Sequence, residues 1–130
     1  MRELVASPEF WAPGSQLFKN PMDFACSALT AAGGVKDRRD LVQALGFLSQ
    51  AGQPVNLWQT PDGYPTHASV WLAPEAQTRR ADFALGLGTR MPEVDCLNAF
   101  LSYATQERIA RELAKARAGL LLASPDFMRK

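Results

Sequence analysis

The sequence has few of the residues that build metal centres, disulfides and nucleophilic active sites. Its 130 residues include two cysteines, Cys26 and Cys96, and one histidine, His67. The cysteines fit no metal-ligand spacing and stand among apolar neighbours, which favours buried free thiols over a disulfide. His67 and the nearby Asp62 match no metal signature, because a site needs three or four ligands. We therefore predict neither a metal nor a cofactor for this chain.

An excess of one charge and a long apolar run are also missing. The sequence contains fourteen Lys and Arg and thirteen Asp and Glu, which gives a net charge of +1. This balance does not provide the positively charged surface that binds nucleic acids. The stretch AGLLLA is far shorter than the roughly 20 apolar residues that span a bilayer. Glu3 and Pro8 interrupt any signal-peptide core. We expect no nucleic-acid partner, no membrane insertion and, for the chain as written, a cytoplasmic location.

No catalytic signature is present either: the sequence contains no glycine-rich phosphate loop, no serine-elbow motif, no HExxH and no paired carboxylates. We therefore assign no catalytic residue. No low-complexity segment or linker divides the chain. A length of 130 residues with 47% hydrophobic residues suits one globular domain over 1–130.

Helix starts are what the sequence does contain. The phrase Ala-Ser-Pro-acid-Phe occurs at 6–10 and again at 123–127. Serine is a good N-cap, proline suits the first helical position, and an acid there complements the helix dipole. The phrases predict two helix starts, with Phe10 and Phe127 turned inward. Further starts are NPMD at 20–23, DRRD at 37–40, Thr105 before QERIA, and APEA at 73–76, which lacks the capping hydroxyl.

These starts, with almost no alternating apolar and polar residues, predict an all-α fold, a compact bundle of five or six helices. The predicted helices cover 2–6, a short segment from Pro8, 21–32, 37–51, Val70 to Leu87 (stopped by Gly88), 93–103 and 106–122. The apolar spacing gives each long helix a core stripe. These stripes are Leu41, Val42, Leu45 and Leu48; then Ala76, Phe83 and Leu87; and finally Ile109, Leu113, Ala116 and Leu120.

A long loop at about 52–69 interrupts the helical pattern and carries an unusual share of the aromatic residues. Loops of this length in compact domains are uncommon and are often functional. The aromatic rings can stack a flat apolar ligand or the face of a sugar, or they can pin the loop onto the helices. Six residues in and near this loop form our candidate surface for a ligand or a partner: Trp58, Asp62, Tyr64, His67, Trp71 and Arg80.

Arg80 is in this set because it falls on the apolar stripe that includes Phe83. A charged residue there either extends its head group to solvent or buries it. In the second case we expect the guanidinium to bind a carboxylate or loop carbonyls and so to fix the aromatic loop to the helix.

Five blocks in the same order give the sequence a family resemblance. They are SPEFW, FKNPMDFACSAL, QPVNLWQTPDGYP, WLAPEAQTRRADFALGL and LLASPDFMRK. Together they resemble the C-terminal part of the bacterial family called domain of unknown function 1800. The resemblance implies a largely helical protein, longer relatives, many of them exported to the periplasm or beyond, and no assigned activity. The chain departs from the family pattern at 73–75, where Ala-Pro-Glu replaces Ser-Pro-Glu.

The resemblance makes this chain the expected C-terminal module of a longer protein. We predict a binding or scaffolding role, with the N-terminal part of the full-length protein or another protein as partner, or self-association through apolar surface. The alternative is a portion of an enzyme, in which Asp62, His67 and Arg80 contribute to a site that the N-terminal region completes.

Overall fold

The computed structural model describes residues 8, 17–59, 61–91, 102–109 and 114–129. Within these ranges the chain forms six helices and no strand, which confirms the all-α prediction. The helices are α1 (Pro21–Ala31), α2 (Arg38–Gln50), α3 (Ala68–Trp71), α4 (Pro74–Gly88), α5 (Tyr103–Ile109) and α6 (Ala114–Leu122). An isolated antiparallel bridge joins Phe18 to Arg129. None of the described helices has the length and apolar character to cross a membrane.

Several predicted features lie outside the described residues. These are the helices expected at 2–6 and after Pro8, most of the helix expected at 93–103, and the side chains of Phe10, Cys96 and Leu113. Of the helix predicted at 106–122, the structure describes part of α5 and the whole of α6, but not residues 110–113.

Two predicted N-caps are confirmed by their hydrogen bonds. Asn20 Oδ1 accepts from the Asp23 amide at 2.8 Å, and Asp37 Oδ1 accepts from the Asp40 amide at 3.0 Å. Such caps satisfy backbone donors that have no partner inside the helix. Ala73 precedes Pro74 of α4 and makes no side-chain cap.

Two predicted helix boundaries were wrong. The segment from Val70 to Leu87 is not one helix, because Pro74 forces the preceding residue, Ala73, out of the helical region (ψ 141°). The helix near 105 begins earlier than predicted, at Tyr103, and the Oγ of Ser102 accepts from the Thr105 amide at 3.4 Å.

The second Ser-Pro-acid phrase forms a single turn, not a new helix. The Phe127 amide donates to the Ser124 hydroxyl at 3.3 Å, as in an N-cap, and Phe127 is buried as predicted. The chain then leaves the helical path because the Lys19 amide donates to the Met128 carbonyl at 2.8 Å. This pairing ties the segment before α1 to the C-terminal turn.

Four phenylalanines form the centre of the core. The rings of Phe47 and Phe83 stack with centroids 4.6 Å apart, and Phe24 contacts Phe127 edge-on at 6.0 Å. Because aromatic side chains bury large areas, these contacts hold α1, α2, α4 and the C-terminal turn together.

The predicted core face of α2 was wrong. Leu41 and Leu45 are 49% and 51% exposed, and Val42 is exposed as well. The helix instead buries Asp40, Ala44, Phe47 and Leu48. This helix has two apolar faces, and the face that carries an aromatic ring and a small residue packs closely against α1 and α4. Only Leu48 belongs to both the predicted and the observed set.

Smaller corrections concern a cysteine, a glycine and the last stripe. Cys26 is free as predicted, but it is exposed on α1. Helix α4 continues through Gly88 and is capped by Thr89. In α6 the buried residues include Ala118, Gly119, Leu121 and Leu122, whereas the predicted Ala116 and Leu120 are half-buried.

Candidate functional site

Two of the aromatic side chains fix the long loop in place. Trp71 is buried, and its Nε1 donates to the Pro65 carbonyl at 3.1 Å. The Tyr64 hydroxyl donates to the Pro54 carbonyl across the loop. These bonds replace the regular backbone pairing that an irregular segment lacks.

Trp58 is the most accessible of the three predicted rings. Its ring lies 4.5 Å from that of Tyr64, tilted by 45°, and 40% of the residue is exposed. The preceding turn has Asn56 at a φ of 59° and leaves Leu57 70% exposed. The loop therefore presents an apolar tip, Leu57 and Trp58, supported from beneath by Tyr64.

The other predicted site residues differ in their exposure. Asp62 and His67 are both exposed, whereas Arg80 is fully buried on α4. The one hydrogen bond that Arg80 makes within the described residues goes to neither of them. In the described part of the chain, Arg80 therefore forms no hydrogen-bonded site with these two exposed side chains.

Arg80 has an environment that is unusual for a charged residue. Its Nη2 donates to the Lys19 carbonyl at 3.0 Å, and its Cζ lies 4.8 Å and 5.1 Å from the ring centroids of Phe18 and Phe24. Among the described residues, Nε and Nη1 have no acceptor. Burial lowers the pKa of Arg80 to about 10. The guanidinium is inside, but it fixes the segment before α1, not the aromatic loop.

A cavity of about 630 Å³ lies beside this arginine, between the segment before α1, helices α3 and α4, and the C-terminal turn. Apolar side chains make most of its wall, and Gln77 and Arg129 are the polar exceptions. The lining residues are Leu17, Phe18, Ala68, Leu72, Gln77, Ala81, Ala123, Pro125, Met128 and Arg129. Sequence reasoning missed this cavity because its walls come from four segments that are far apart in the sequence.

A second polar cluster has a structural role. Arg90 Nη1 contacts Asp40 Oδ1 at 2.5 Å and Arg90 Nη2 donates to Gln43 at 2.5 Å, which ties the end of α4 to α2. The Lys36 amide, at 2.9 Å from Asp40 Oδ2, does most to lower the pKa of Asp40, and the charge of Arg90 adds to it. The described residues contain no group of three His, Cys, Asp or Glu side chains that could hold a metal ion.

Comparison with known proteins bears out the resemblance that the sequence blocks carry. Searches of the curated proteins and of the solved structures gave no match. The sequence profile described as "Protein of unknown function (DUF1800)" matches residues 1–129. The chain therefore belongs to the DUF1800 family.

Proposed function

We propose that this domain is a binding module whose ligand site is the cavity beside α3 and α4. The observation that supports the proposal is the combination of size and lining: about 630 Å³ with mostly apolar walls. Ligand sites in proteins fall in this range of volumes and combine apolar walls with a few polar groups. Here the polar groups are Gln77 and Arg129.

The rim of the cavity also favours a binding role. Leu17 and Leu72 line it and are 68% and 51% exposed. Covering such side chains with an apolar ligand removes them from water, which is favourable by about 25 cal/mol per Å². Two of the residues predicted from sequence adjoin this site. Trp71 belongs to α3, and one wall is formed by Ala68 of this helix and by Leu72, which follows it; Arg80 contacts the ring of Phe18.

The test uses N-phenyl-1-naphthylamine, a neutral dye that fluoresces in apolar sites. We expect the wild-type protein to enhance its fluorescence saturably. Ala68→Trp places bulk at the cavity wall and should weaken dye binding at least several-fold. Ser69→Trp is the matched control, because Ser69 is exposed on the same helix but does not line the cavity. Absence of dye binding to the wild type, or equal loss in both variants, would refute the proposal.

A second candidate is a scaffolding role through the outer face of α2. Leu41, Val42 and Leu45 lie on one side of that helix and are 49%, 60% and 51% exposed. Apolar side chains clustered on a surface mark contact sites, and we propose a second copy of this chain as the partner. Light scattering at two protein concentrations tests it. The mass should rise with concentration in the wild type and stay monomeric in Val42→Lys. A monomer at both concentrations would exclude self-association.

A further inference from the structure

We infer that the ligand of the cavity is a small amphipathic carboxylate, with its apolar body against the cavity walls and its carboxylate bound by the guanidinium of Arg80. The inference rests on the proposed binding function and names the chemical class of the ligand. It depends on three observations: the position of Arg80, the charges around the cavity, and the position of Phe18 relative to both.

Arg80 lies at the edge of the cavity without lining it. Gln77 and Ala81, on the same helix within one turn, both form part of the wall. Phe18 also lines the cavity, and the Arg80 Cζ lies 4.8 Å from the centroid of its ring. Phe18 therefore adjoins both the cavity and the buried guanidinium.

The charges at this place favour an anion. The guanidinium is fully buried, yet it has a single carbonyl acceptor, and Nε and Nη1 have none among the described residues. A buried charge is normally matched by an opposite charge or by a full set of hydrogen bonds. Among the described residues that line the cavity there is no Asp or Glu, whereas Arg129 is one of them. A ligand carboxylate would provide the missing acceptor and the missing negative charge.

A competing carboxylate belongs to Asp126, which follows the lining residue Pro125 and whose charge interacts with Arg129. Its Oδ2 already accepts from the Ser102 hydroxyl at 2.7 Å and from the Thr105 hydroxyl at 2.8 Å. Asp126 is therefore committed to the start of α5 and does not neutralise Arg80.

Access to Arg80 requires a movement of Phe18. This residue is half-buried and follows the exposed Leu17 in a segment that pairs with the C-terminal turn through one bridge. Rotation of the ring would expose Nε and Nη1 to the cavity, and the ring could then pack on the apolar body of the ligand. The polar and apolar parts of the site would thus form together.

The experiment compares two probes with the same chain length, decanoate and decan-1-ol, as competitors of N-phenyl-1-naphthylamine at pH 7.5. We expect decanoate to bind the wild type about tenfold more tightly or better, since hydrogen bonds between charged groups are the stronger ones. Arg80→Met should remove this preference and leave decan-1-ol binding unchanged. The matched control, Arg79→Met, changes an exposed arginine on the same helix and should keep the preference.

Each result decides between the two proposals. Equal affinity of the wild type for both probes would overturn the carboxylate inference and leave the binding function standing. Failure of the dye and of both probes to bind would overturn the binding function itself. If the preference for decanoate over decan-1-ol persisted in Arg80→Met but were lost in Arg129→Met, Arg129 would be the residue that binds the carboxylate. That result would overturn the role of Arg80.

A measurement on the wild-type protein covers the case in which Arg80→Met does not fold. The Nε–H group of Arg80 gives its own NMR signal, which moves when the group gains an acceptor. We expect decanoate to shift this signal and decan-1-ol to leave it in place. An unchanged signal at saturating decanoate would contradict the inference.

Discussion

Gly88 of α4 and Gly119 of α6 lie so close that a Cβ added to Gly88 would stand 2.2 Å from the backbone nitrogen of Gly119. A Cβ on Gly119 would in turn lie 2.7 Å from the Cα of Leu85. Both clashes are with backbone atoms, so no side-chain rotation relieves them. The two helices share the most extensive helix–helix contact of the described fold, and these two glycines make that contact possible.

We predict that Gly88→Ala lowers the free energy of unfolding by about 2–3 kcal/mol or more, because the helices must move apart and core contacts are lost. Gly46→Ala is the matched control. A Cβ at Gly46, inside α2, meets nothing within 4 Å, so alanine should stabilise the protein by about 0.5–1 kcal/mol. Urea denaturation measures both. If the two variants behaved alike, the close approach of α4 and α6 would be disproved.

Substitutions at two helix N-caps should change stability in opposite directions. Asn20→Ala removes the acceptor of the Asp23 amide and should cost about 1 kcal/mol. Ala73→Ser supplies α4 with the hydroxyl that it lacks and should add about 0.5–1 kcal/mol. Thermal unfolding of both variants provides the measurement. A loss of stability in Ala73→Ser would mean that the turn before Pro74 does not allow the cap bond.

Such caps were predictable because they depend on residues only three positions apart. Asn20 and Asp37 bond within their own first turns, and the sequence displays both partners. The buried face of α2 was not predictable in this way. Leu41 and Leu45 have the spacing of a core stripe, but the choice of face depends on how closely Ala44 lets α2 approach its neighbours.

In the candidate site, too, features formed within one segment were predictable from the sequence, and features formed by distant segments were not. The aromatic loop is visible in the sequence because Trp58 and Tyr64 stand in one segment without helical period. The cavity is not, because Phe18, Leu72 and Met128 meet only after folding. Arg80 was visible as a charge on an apolar stripe, yet its acceptor, the Lys19 carbonyl, lies 61 residues away.

Asp126 makes stability depend on pH. Hydrogen bonds from the Ser102 and Thr105 hydroxyls and the Ser102 amide lower the pKa of Asp126 in the folded protein. A carboxyl whose pKa is lower in the folded state stabilises it above the ordinary value of about 4, and this contribution is lost as the pH falls through the folded pKa. We expect Asp126→Asn to be less stable than the wild type at pH 7, with a smaller difference at pH 3.

Urea midpoints at the two pH values measure this effect. Asp82→Asn is the control, since Asp82 is exposed on α4 and makes no hydrogen bond in the described part of the chain. It should leave both midpoints close to those of the wild type. A difference between Asp126→Asn and the wild type that did not shrink at pH 3 would show that the carboxylate charge is not what stabilises this turn.

Of the two tryptophans Trp58, in the loop, and Trp71, in α3, we expect one to be structural and the other to be a surface residue. Trp71 is 4% exposed and donates to Pro65, so Trp71→Ala should cost about 3–5 kcal/mol. Trp58 is 40% exposed, and Trp58→Ala should change the free energy of unfolding by less than about 1 kcal/mol. Circular dichroism during urea denaturation measures both. Unfolding of Trp58→Ala would place its ring in the core and exclude it from any binding surface.

Substitutions of Arg80 test whether its charge stabilises the fold or serves to bind a ligand. Its guanidinium is buried and has one carbonyl acceptor among the described residues, beside the rings of Phe18 and Phe24. Removing such a charge from water is costly unless it is fully paired. Methionine has a similar length, needs no acceptor and fills irregular space. Without ligand, we expect the free energy of unfolding of Arg80→Met to lie within about 1 kcal/mol of the wild type or above it.

Arg80→Ala is the control for that comparison. It leaves a cavity beside Phe24 and should cost about 2–4 kcal/mol. If Arg80→Met were destabilised as strongly as Arg80→Ala, the charge itself would stabilise the fold, and its retention would need no ligand. If only the alanine variant is destabilised, the side-chain volume serves the fold while the charge serves another purpose. Binding of an anion from the cavity is the purpose indicated by Nε and Nη1, which have no acceptor among the described residues.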